Sequence, residues 1–321
     1  MWQYIIRRLV WSLVVVLLVT LLAFIIFYVL PSTDPTIAFA GKQPTPEIRA
    51  EVAKNLGLNH SKPVQYLIFV KHLFLGDQYG WPGFGKSFNS REPIKGEMFS
   101  RLLVTLQLAI GALIIWLTLG ISIGVLSALK RRSAMDRGAM GFALLGISTP
   151  VFFLGILGLY LFWKVLGINP GTGYVGFRDN PWDWFQHMWL PWVVLALLSA
   201  AVYARIVRGT MLDVMGEDYV RTARAKGVSE RNVVIRHMLR PTIAPVLTLA
   251  GIDFALLIGG AVVTESVFNL PGIGAYVLDA VGQNDLPVAM GVTVIAAVFV
   301  TIMNLIVDIA YGFVDPRVRY T

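Results

Sequence analysis

A short segment of this sequence matches the pattern of a phosphate-binding loop. Gly80-Trp-Pro-Gly-Phe-Gly85-Lys86-Ser87 fits G-x-x-x-x-G-K-[ST] at every fixed position. The pattern binds a nucleotide only where a strand leads into it and a helix follows, so that backbone amides surround the phosphate. Pro93 lies six residues after Ser87, where that helix should be in its second turn, and no parallel-sheet pattern surrounds the segment. The sequence therefore predicts a Gly/Pro-rich surface turn and no nucleotide site.

No other segment shows an arrangement typical of a catalytic or metal site. The chain has no cysteine, which excludes disulfides, thiolate metal ligands and a cysteine nucleophile. The acidic residues form no pair suited to acid–base catalysis. The four histidines are scattered, and no spacing among them indicates a metal site: His60, His72, His187 and His237. We therefore expect that the chain is not an enzyme and holds no metal.

The best candidate for a functional surface is a basic segment between two apolar stretches. Glu217–Arg231 reads as two short helical stretches with a hinge at Gly227. Arg221, Arg224 and Lys226 can donate hydrogen bonds to carboxylates and carbonyls of another protein. Glycine allows a sharp turn at the C-terminus of a helix. We interpret the segment as a docking element, and the alternative is a basic loop that contacts only anionic lipid.

The composition is that of an integral membrane protein. Of 321 residues, 56% are hydrophobic and only 14% are charged, against about 25% charged in soluble domains. A membrane helix needs about 20 mostly apolar residues. Six segments qualify, at roughly 9–31, 102–129, 138–163, 188–206, 242–264 and 287–312. The predicted fold class is therefore all-α, a polytopic membrane protein with six transmembrane helices.

These spans divide the chain into three predicted parts. Residues 1–31 form an N-terminal transmembrane helix, and its apolar run is longer than the roughly 7–15 residues of a signal peptide core. Residues 32–101 form an extracytoplasmic loop, either a cap over the outer mouth or a contact surface for an external receptor. Residues 102–321 form a five-helix core that contains the cytoplasmic loop 205–240.

The distribution of Lys and Arg predicts the orientation of the chain. Basic residues cluster in the segments that lie inside when the N-terminus is inside, whereas the short outer loops hold only Lys164 and Arg178. Both termini are therefore expected in the cytoplasm. The net charge of +8 reflects this topology, so we expect membrane lipid and no nucleic acid as a partner.

Several residues within or near the spans are candidates for function. Asp253 lies about ten residues into the fifth span, where an ionisable group either marks a functional site or bonds to a neighbouring helix. Glu265 lies at the outer end of that span, where gating or receptor contact is possible. Pro150 in the third span is either a hinge or a static kink. Asp308, near the inner end of the sixth span, is expected to pair with a cytoplasmic arginine. Glycines at helical spacing are expected to mark close helix packing: Gly111, Gly120 and Gly124.

Four motifs occur in order along the chain: Asn55–Leu58 followed by Pro63–Tyr66; Tyr219–Gly227; Glu265–Gly274 with Asp285–Pro287; and Asp315–Tyr320. Together they resemble binding-protein-dependent ABC importer permeases of the oligopeptide, dipeptide and nickel family, and Tyr219–Gly227 is similar to the EAA loop of these permeases. In the general form E-A-A-x-x-x-G, Ala223 and Gly227 match, whereas Arg221 and Thr222 replace the Glu and the first Ala. The resemblance covers nearly the whole chain, and Gly80–Phe84 resembles an insertion.

The resemblance implies a type I ABC importer permease fold in a prokaryotic cytoplasmic membrane. The partners would be a second, similar permease, two cytoplasmic ATPase subunits and an extracytoplasmic substrate-binding protein. ATP and Mg would bind in the ATPase subunits, and this chain would bind no cofactor. The residues implied in ATPase coupling are Glu217, Asp218, Tyr219, Arg221, Thr222, Ala223, Arg224, Lys226 and Gly227. The candidates for the translocation path or gate are Asp253, Glu265, Pro271, Gly272 and Asp285.

The function that the resemblance implies is half of the translocation path of an importer for di- or oligopeptides. ATP binding would draw two coupling helices together, and rigid helices would carry the shift to the outer mouth. Nickel, glutathione or a sugar remain alternative cargoes for the same machine. An ion-coupled secondary transporter is a different class, but it would usually need more spans and inverted repeats with broken helices.

Overall fold

The computed structural model is largely helical in the part of the chain that it describes. That part comprises residues 2–30, 45–47, 50, 53 and 60–314. Within it, extended pairing is limited to two isolated bridges, Asp77 with Gly80 and Lys86 with Pro93. The all-α prediction is therefore confirmed.

Two of the motifs named above fall outside the described residues. They are Asn55–Leu58 and Asp315–Tyr320. The side chain of Asp308 also falls outside them, so its expected pairing stays a prediction.

The helices, in chain order, are α1 (Trp2–Phe24), π1 (Ile25–Val29), α2 (Lys62–Leu75), α3 (Ile94–Leu129), α4 (Ala134–Ser148), α5 (Val151–Leu159), π2 (Tyr160–Val165), α6 (Pro181–Met215), α7 (Asp218–Ala225), α8 (Glu230–Asn232), π3 (Val233–Met238), α9 (Leu239–Gly260), α10 (Val262–Val267), α11 (Ile273–Gly282) and α12 (Leu286–Val314). They form two compact units. The first comprises Met1–Thr105, Ile258–Val262 and Pro271–Leu305, and the second comprises Leu106–Leu257, Val263–Leu270 and Ile306–Thr321.

Five helical stretches among the described residues are long and apolar enough to cross a membrane. They are Ile6–Val29, Ile94–Leu129, Pro181–Met215, Glu230–Leu257 and Leu286–Ile306. A sixth span results if Ala134–Gly146 and Val151–Val165, which are bent by 103° to each other, cross together. Each of the six predicted segments corresponds to one of these helices or to the bent pair.

The fourth span begins earlier than its apolar pattern indicates, because a polar cap starts the helix. Asn180 has an extended backbone, and its side-chain oxygen accepts hydrogen bonds from the N–H groups of Trp182 and Asp183 at 3.1 and 3.3 Å. These groups have no partner within the helix, so the cap stabilises the first turn. Pro181 occupies the first helical position, where its missing N–H costs nothing. Helix α6 therefore includes the aromatic segment that follows Asn180.

The third predicted span is two helices. Helix α4 ends at Ser148, and Thr149 and Pro150 adopt extended backbones with ψ of 126° and 140° before α5 begins at Val151. The residue before a proline is pushed away from the helical region, and proline offers no N–H to continue the ladder. Pro150 therefore marks a complete break of the helix. Whether this break moves stays a prediction.

In the second unit, glycines allow α3 and α6 to approach closely. A Cβ atom at Gly120 would lie 2.7 Å from the Cβ of Tyr203, and one at Gly124 would lie 2.6 Å from the Cβ of Val207. A Cβ at Gly111 would lie 2.2 Å from the ring of Trp192. The prediction that these three glycines mark helix packing is confirmed.

In the first unit, α2 packs on the end of α1. The ring of Phe24 stacks on that of Tyr28 at 5.0 Å and lies 5.6 Å from that of Tyr66. The Tyr66 hydroxyl donates to the carbonyl of Leu17 at 3.0 Å, and the Lys62 ammonium donates to the carbonyl of Tyr28 at 3.0 Å. Part of the loop predicted at 32–101 is therefore fixed to the first span.

Candidate functional site

The predicted docking segment contains a short helix that joins the end of α6. Only Gly216 and Glu217 separate Met215, the last residue of α6, from Asp218, the first residue of α7. Along α7, Val220 and Ala223 lie three residues apart and are buried. This spacing places both on one face of the helix. Helix α7 therefore packs against the rest of the protein through a narrow apolar stripe and leaves the rest of its surface exposed to solvent.

The outward surface of α7 contains most of the predicted coupling residues. All of the following are exposed: Glu217, Asp218, Tyr219, Arg221, Thr222, Arg224, Lys226 and Gly227. Ala223 is the exception, because it belongs to the buried stripe with Val220. The sequence motif thus mixes residues that can contact a partner with one that positions the helix. Val220 was not among the predicted residues, although its three-residue spacing from Ala223 in the sequence indicates a shared helix face.

Gly227 ends α7 in a geometry that only glycine adopts without strain. Its φ is +76°. The Gly227 N–H donates to the carbonyl of Arg224 at 3.0 Å, and the Val228 N–H donates to the carbonyl of Ala223 at 3.2 Å. These two bonds form the Schellman motif, which satisfies carbonyls that the helix leaves open. The chain therefore reverses sharply here, as the sequence predicts.

A salt bridge holds the two sides of this turn together. The guanidinium of Arg224 contacts the carboxylate of Glu230 through Nε at 3.1 Å and through Nη2 at 2.7 Å. This carboxylate raises the pKa of Arg224 further above its usual range. Arg221 faces Asp218 at 3.6 Å, and both side chains remain largely exposed. Arg224 was predicted to meet carboxylates of a partner protein, whereas in the structure it already binds Glu230 of the same chain.

Lys226 and Tyr219 add further hydrogen-bonding groups to this exposed surface. Lys226 is the last residue before the turn, and its backbone N–H donates to the carbonyl of Thr222 at 3.0 Å. Partial burial, followed by the charge of Glu217, raises the pKa of the Tyr219 phenol. The phenol therefore stays neutral near pH 7 and can donate a hydrogen bond. The surface can thus offer cationic and neutral donors side by side.

Asp285, a predicted gate residue, is buried and engaged within the first unit. Its carboxylate accepts a short hydrogen bond from the Ser87 hydroxyl and weaker ones from the N–H groups of Phe88 and Asn89, at 3.3 and 3.4 Å. This arrangement ties the loop before α3 to the start of α12. It also explains the phosphate-loop pattern, because its Ser87 binds a carboxylate and the next helix begins only at Ile94. No strand precedes the pattern in this described part of the chain.

Asp253 in α9 accepts a hydrogen bond from a neighbouring helix. The hydroxyl of Tyr203 in α6 donates to its carboxylate at 2.7 Å, and Asp253 is half-buried. The ring of Tyr203 lies 6.1 Å from that of Trp116, which is fully buried. Of the two roles left open by the sequence, this contact supports bonding between helices.

The remaining gate candidates lie around the short helices α10 and α11. Glu265 is fully buried on α10, and its backbone carbonyl accepts from the N–H of Leu270 at 2.8 Å. Gly272 is buried and precedes the first residue of α11, whereas Pro271 is exposed. Among the described residues, no group of three or more His, Asp or Glu side chains is placed to hold a metal ion.

A cavity of about 350 Å³ lies within the first unit, between α1, α2, the loop before α3 and the start of α12. Its lining is largely aromatic and apolar, including Phe24, Phe69, Phe88 and Met290, with Lys86 among the polar residues. Helix α2 and the loop before α3, both within the predicted loop 32–101, therefore pack around a cavity inside the same unit. This packing is compatible with both alternatives for the loop 32–101, a cap over the outer mouth and a contact surface for an external receptor.

Comparison with known proteins gives a consistent result over most of the chain. The family described as "Binding-protein-dependent transport system inner membrane component" matches residues 120–320, and the description of its N-terminal region matches residues 1–109. A putative peptide transport system permease protein of Brucella abortus (strain 2308) is 41% identical over 316 residues, which are 98% of each chain. The dipeptide transport system permease protein DppB of Escherichia coli (strain K12) is 36% identical over 344 residues, 100% of this chain and 99% of that one.

A solved structure shares the fold at much lower sequence identity. The MetNI methionine ABC transporter, in inward-facing conformations, has a chain that aligns with a TM-score of 0.56 at 17% identity. The alignment covers 70% of this chain and 99% of that chain. With the helices described above, these matches show that the chain belongs to the family of binding-protein-dependent transport system inner membrane components, multi-pass plasma-membrane permeases of ABC importers that work with ATPase and binding-protein partners.

Proposed function

We propose that this chain is one of two permease subunits in an ATP-driven importer of di- or oligopeptides. The relatives from Brucella abortus and Escherichia coli carry the names of peptide and dipeptide transport system permeases, which favours peptides over nickel, glutathione or a sugar. The chain supplies half of the translocation path. The partners are a second permease of the same family, two cytoplasmic ATPase subunits and an extracytoplasmic binding protein.

The geometry of α7 carries the coupling part of this proposal. The helix is short and has a buried stripe only two residues wide, so most of its polar surface is free to enter a groove on an ATPase subunit. Two residues join it to α6, and the turn at Gly227 leads through α8 and π3 into α9. A displacement of α7 therefore acts on both flanking spans. The ATPase subunits hydrolyse ATP, and this chain binds neither ATP nor Mg.

The orientation follows from the basic residues near the membrane. Arg221, Arg224 and Lys226 on α7, and Lys130 and Arg131 between α3 and α4, mark the cytoplasmic side. Both termini lie on that side as well. The loop before α3 and the segment around α11 then face the binding protein.

Purification of the tagged chain in mild detergent tests the composition of the assembly. We expect mass spectrometry to recover a second permease and one or two ATPase subunits, and the purified assembly to take up labelled dipeptide into liposomes only with ATP and a binding protein. Recovery of the chain alone, with dipeptide uptake that needs no ATP, would show a secondary transporter instead.

A charge reversal on α7 tests the docking surface itself. Lys226→Glu is expected to reduce recovery of the ATPase subunits with the permease, because a donor on the exposed surface becomes an acceptor. Lys130→Glu makes the same charge change on an exposed residue outside α7 and serves as the control. Equal recovery of the ATPase subunits with both variants and the parent would contradict docking through this face of α7.

A further inference from the structure

The carboxylate of Asp136 is buried and joins three parts of the second unit. Asp136 is 3% exposed. It accepts a short hydrogen bond from the hydroxyl of Ser127 in α3 and one from the backbone N–H of Arg132 at 2.9 Å. The guanidinium of Arg208 in α6 contacts both oxygens, through Nε at 2.6 Å and Nη2 at 2.8 Å. Both carboxylate oxygens therefore accept more than one bond.

The corner between α3 and α4 is folded around this carboxylate. Ser133 caps α4, and its hydroxyl accepts from the N–H of Asp136 at 3.2 Å. Arg132 adopts a φ of +64°, which non-glycine residues rarely adopt, and its N–H points to Asp136. An acidic group in the first turn of a helix is also favoured by the helix dipole. Local interactions thus hold the Asp136 side chain in place at the start of α4 independently of Arg208.

Arg208 lies on α6 between the tight α3 contact and the docking helix. The contact at Gly124 is with Val207, the residue next to Arg208. Met215, where α6 ends, lies seven residues further on, about 10 Å along the helix axis. Helix α7 follows after two residues. The ion pair is therefore a charged contact that holds this last part of α6 to α4.

A two-point ion pair to a buried carboxylate, with the arginine side chain only 24% exposed, restricts geometry more than a fully exposed pair does. Two parallel N–H···O bonds fix the direction as well as the distance of the guanidinium. Exposed pairs such as Arg221 with Asp218 contribute little stability, because water and ions screen their charges. Replacing one member of a buried pair leaves the other charge uncompensated. The pair is thus suited to keep α6 in one register against the α3–α4 corner.

We propose that Asp136 and Arg208 are positioning residues that join the C-terminal part of α6 to the α3–α4 corner, so that a displacement of α7 moves α3, α4 and α6 as one body. The inference rests on the proposed function, because it assigns the pair a role in transmitting movement from the ATPase. Without the pair, the C-terminal end of α6 moves independently of the α3–α4 corner. A displacement of α7 is then not transmitted to α3 and α4.

The first experiment measures how much peptide is transported for each ATP hydrolysed. The complete importer with Arg208→Lys is reconstituted in liposomes, since lysine keeps the charge but lacks the two-point fork. Arg205→Lys, an exposed arginine one turn away on α6, is the matched control. We expect peptide uptake per ATP to fall at least about fivefold with Arg208→Lys, within the usual range of coupling energies between sites, and to stay at the parent value with Arg205→Lys.

The second experiment measures the distance between α4 and α7 directly. The chain has no cysteine, so cysteines at Met135 on α4 and Ala225 on α7, both exposed, can carry spin labels without background from this chain. We expect one narrow distance distribution in the parent importer that is the same with and without trapped ATP. With Arg208→Lys the distribution is expected to broaden or to shift between the two states. Asp136→Asn, which keeps the shape of the side chain, takes the place of Arg208→Lys if that variant does not assemble.

The outcomes separate this inference from the function on which it rests. An unchanged ratio of uptake to ATP hydrolysis, or an unchanged label distance, in the ion-pair variant overturns the positioning role while ATP-driven uptake by the parent still supports the function. A parent importer without ATP-driven peptide uptake overturns the proposed function. The label distance then still decides whether the ion pair holds the helices together.

Discussion

Arg224 and Glu230 form a two-point salt bridge across the turn that ends the docking helix. The bridge joins the last turn of α7 to the first residue of α8, and it spans the left-handed Gly227 between them. Both side chains are partly exposed, with 37% of the arginine and 59% of the glutamate side chain accessible. The bridge therefore braces the turn without burying it, and a partner protein can still reach the arginine.

Removing the charge of Glu230 is expected to affect coupling more than folding. Exposed ion pairs stabilise proteins by about 0.2–1 kcal/mol, so Glu230→Gln should leave the melting temperature and the amount of assembled importer nearly unchanged. ATP-driven peptide uptake should fall by at most about fivefold, the factor that corresponds to the upper end of that range. The difference from the parent should shrink at high salt, which screens exposed charges.

Uptake measured at low and high ionic strength checks this expectation. Glu92→Gln removes the same charge from an exposed residue outside the docking segment and provides the control. A difference between parent and Glu230→Gln that persists unchanged in high salt would show that the bridge does not act through exposed electrostatics.

Substitution of Gly227 should uncouple the importer in proportion to the strain it introduces. Alanine at a φ of +76° is expected to cost about 1–2 kcal/mol, so Gly227→Ala should weaken uptake. Proline fixes φ near −65° and removes the N–H that bonds Arg224, so Gly227→Pro should leave the protein inserted but abolish uptake driven by ATP hydrolysis. The measurement is uptake and ATPase activity of the same reconstituted samples.

The control for Gly227 lies in the preceding helix. Gly209 is helical and exposed, and a Cβ atom there would meet nothing within 4 Å. Gly209→Ala should therefore be neutral or slightly stabilising. Receptor-stimulated uptake that is unchanged in Gly227→Pro would defeat the coupling role of the turn.

Ser87 should prove to be a structural residue. Its hydroxyl donates to the buried carboxylate of Asp285, and a hydrogen bond to a charged group typically contributes about 1.5–3 kcal/mol. Ser87→Ala should therefore lower the melting temperature of the detergent-purified importer without changing nucleotide binding. Ser90→Ala, on an exposed residue of the same loop, should leave it unchanged. Loss of ATP binding by the permease chain in Ser87→Ala would instead restore the phosphate-loop interpretation.

The features that the sequence predicts correctly depend on residues close together in the chain. Long apolar runs give the spans, Pro150 gives the break, and Gly227 gives the turn, because each follows from local backbone preferences. The prediction that glycines in α3 mark close helix packing is also correct. Glycines at helical spacing indicate that another helix approaches closely, even when the sequence does not say which helix it is. The start of α6 is missed because apolar pattern alone ignores the cap at Asn180.

The features that the sequence does not reveal depend on how distant helices align. Ser87 and Asp285 are 198 residues apart, and Arg208 and Asp136 are 72 apart. Whether two such side chains meet depends on the rotation and register of whole helices, which no local pattern specifies. The same reason explains why an acidic residue in a span can be read from sequence as a functional site before its bonding partner is known.

Asp253 provides the sharpest test between these two interpretations. If the carboxylate mainly accepts the hydrogen bond from Tyr203, Asp253→Asn should retain uptake within about twofold, since the amide oxygen still accepts. Asp253→Leu should lower the melting temperature, because the Tyr203 hydroxyl then loses its acceptor at a cost of about 1–3 kcal/mol. Tyr203→Phe should destabilise the importer to a similar extent.

Uptake and melting temperature measured together for these three variants separate structure from transport. Parallel losses in Tyr203→Phe and Asp253→Leu, with Asp253→Asn close to the parent, fit a bond that holds α6 to α9. If Asp253→Asn abolishes uptake while assembly and melting temperature stay at the parent values, the negative charge itself is required. That outcome would favour a functional role of the Asp253 carboxylate in transport over a purely structural bond between α6 and α9.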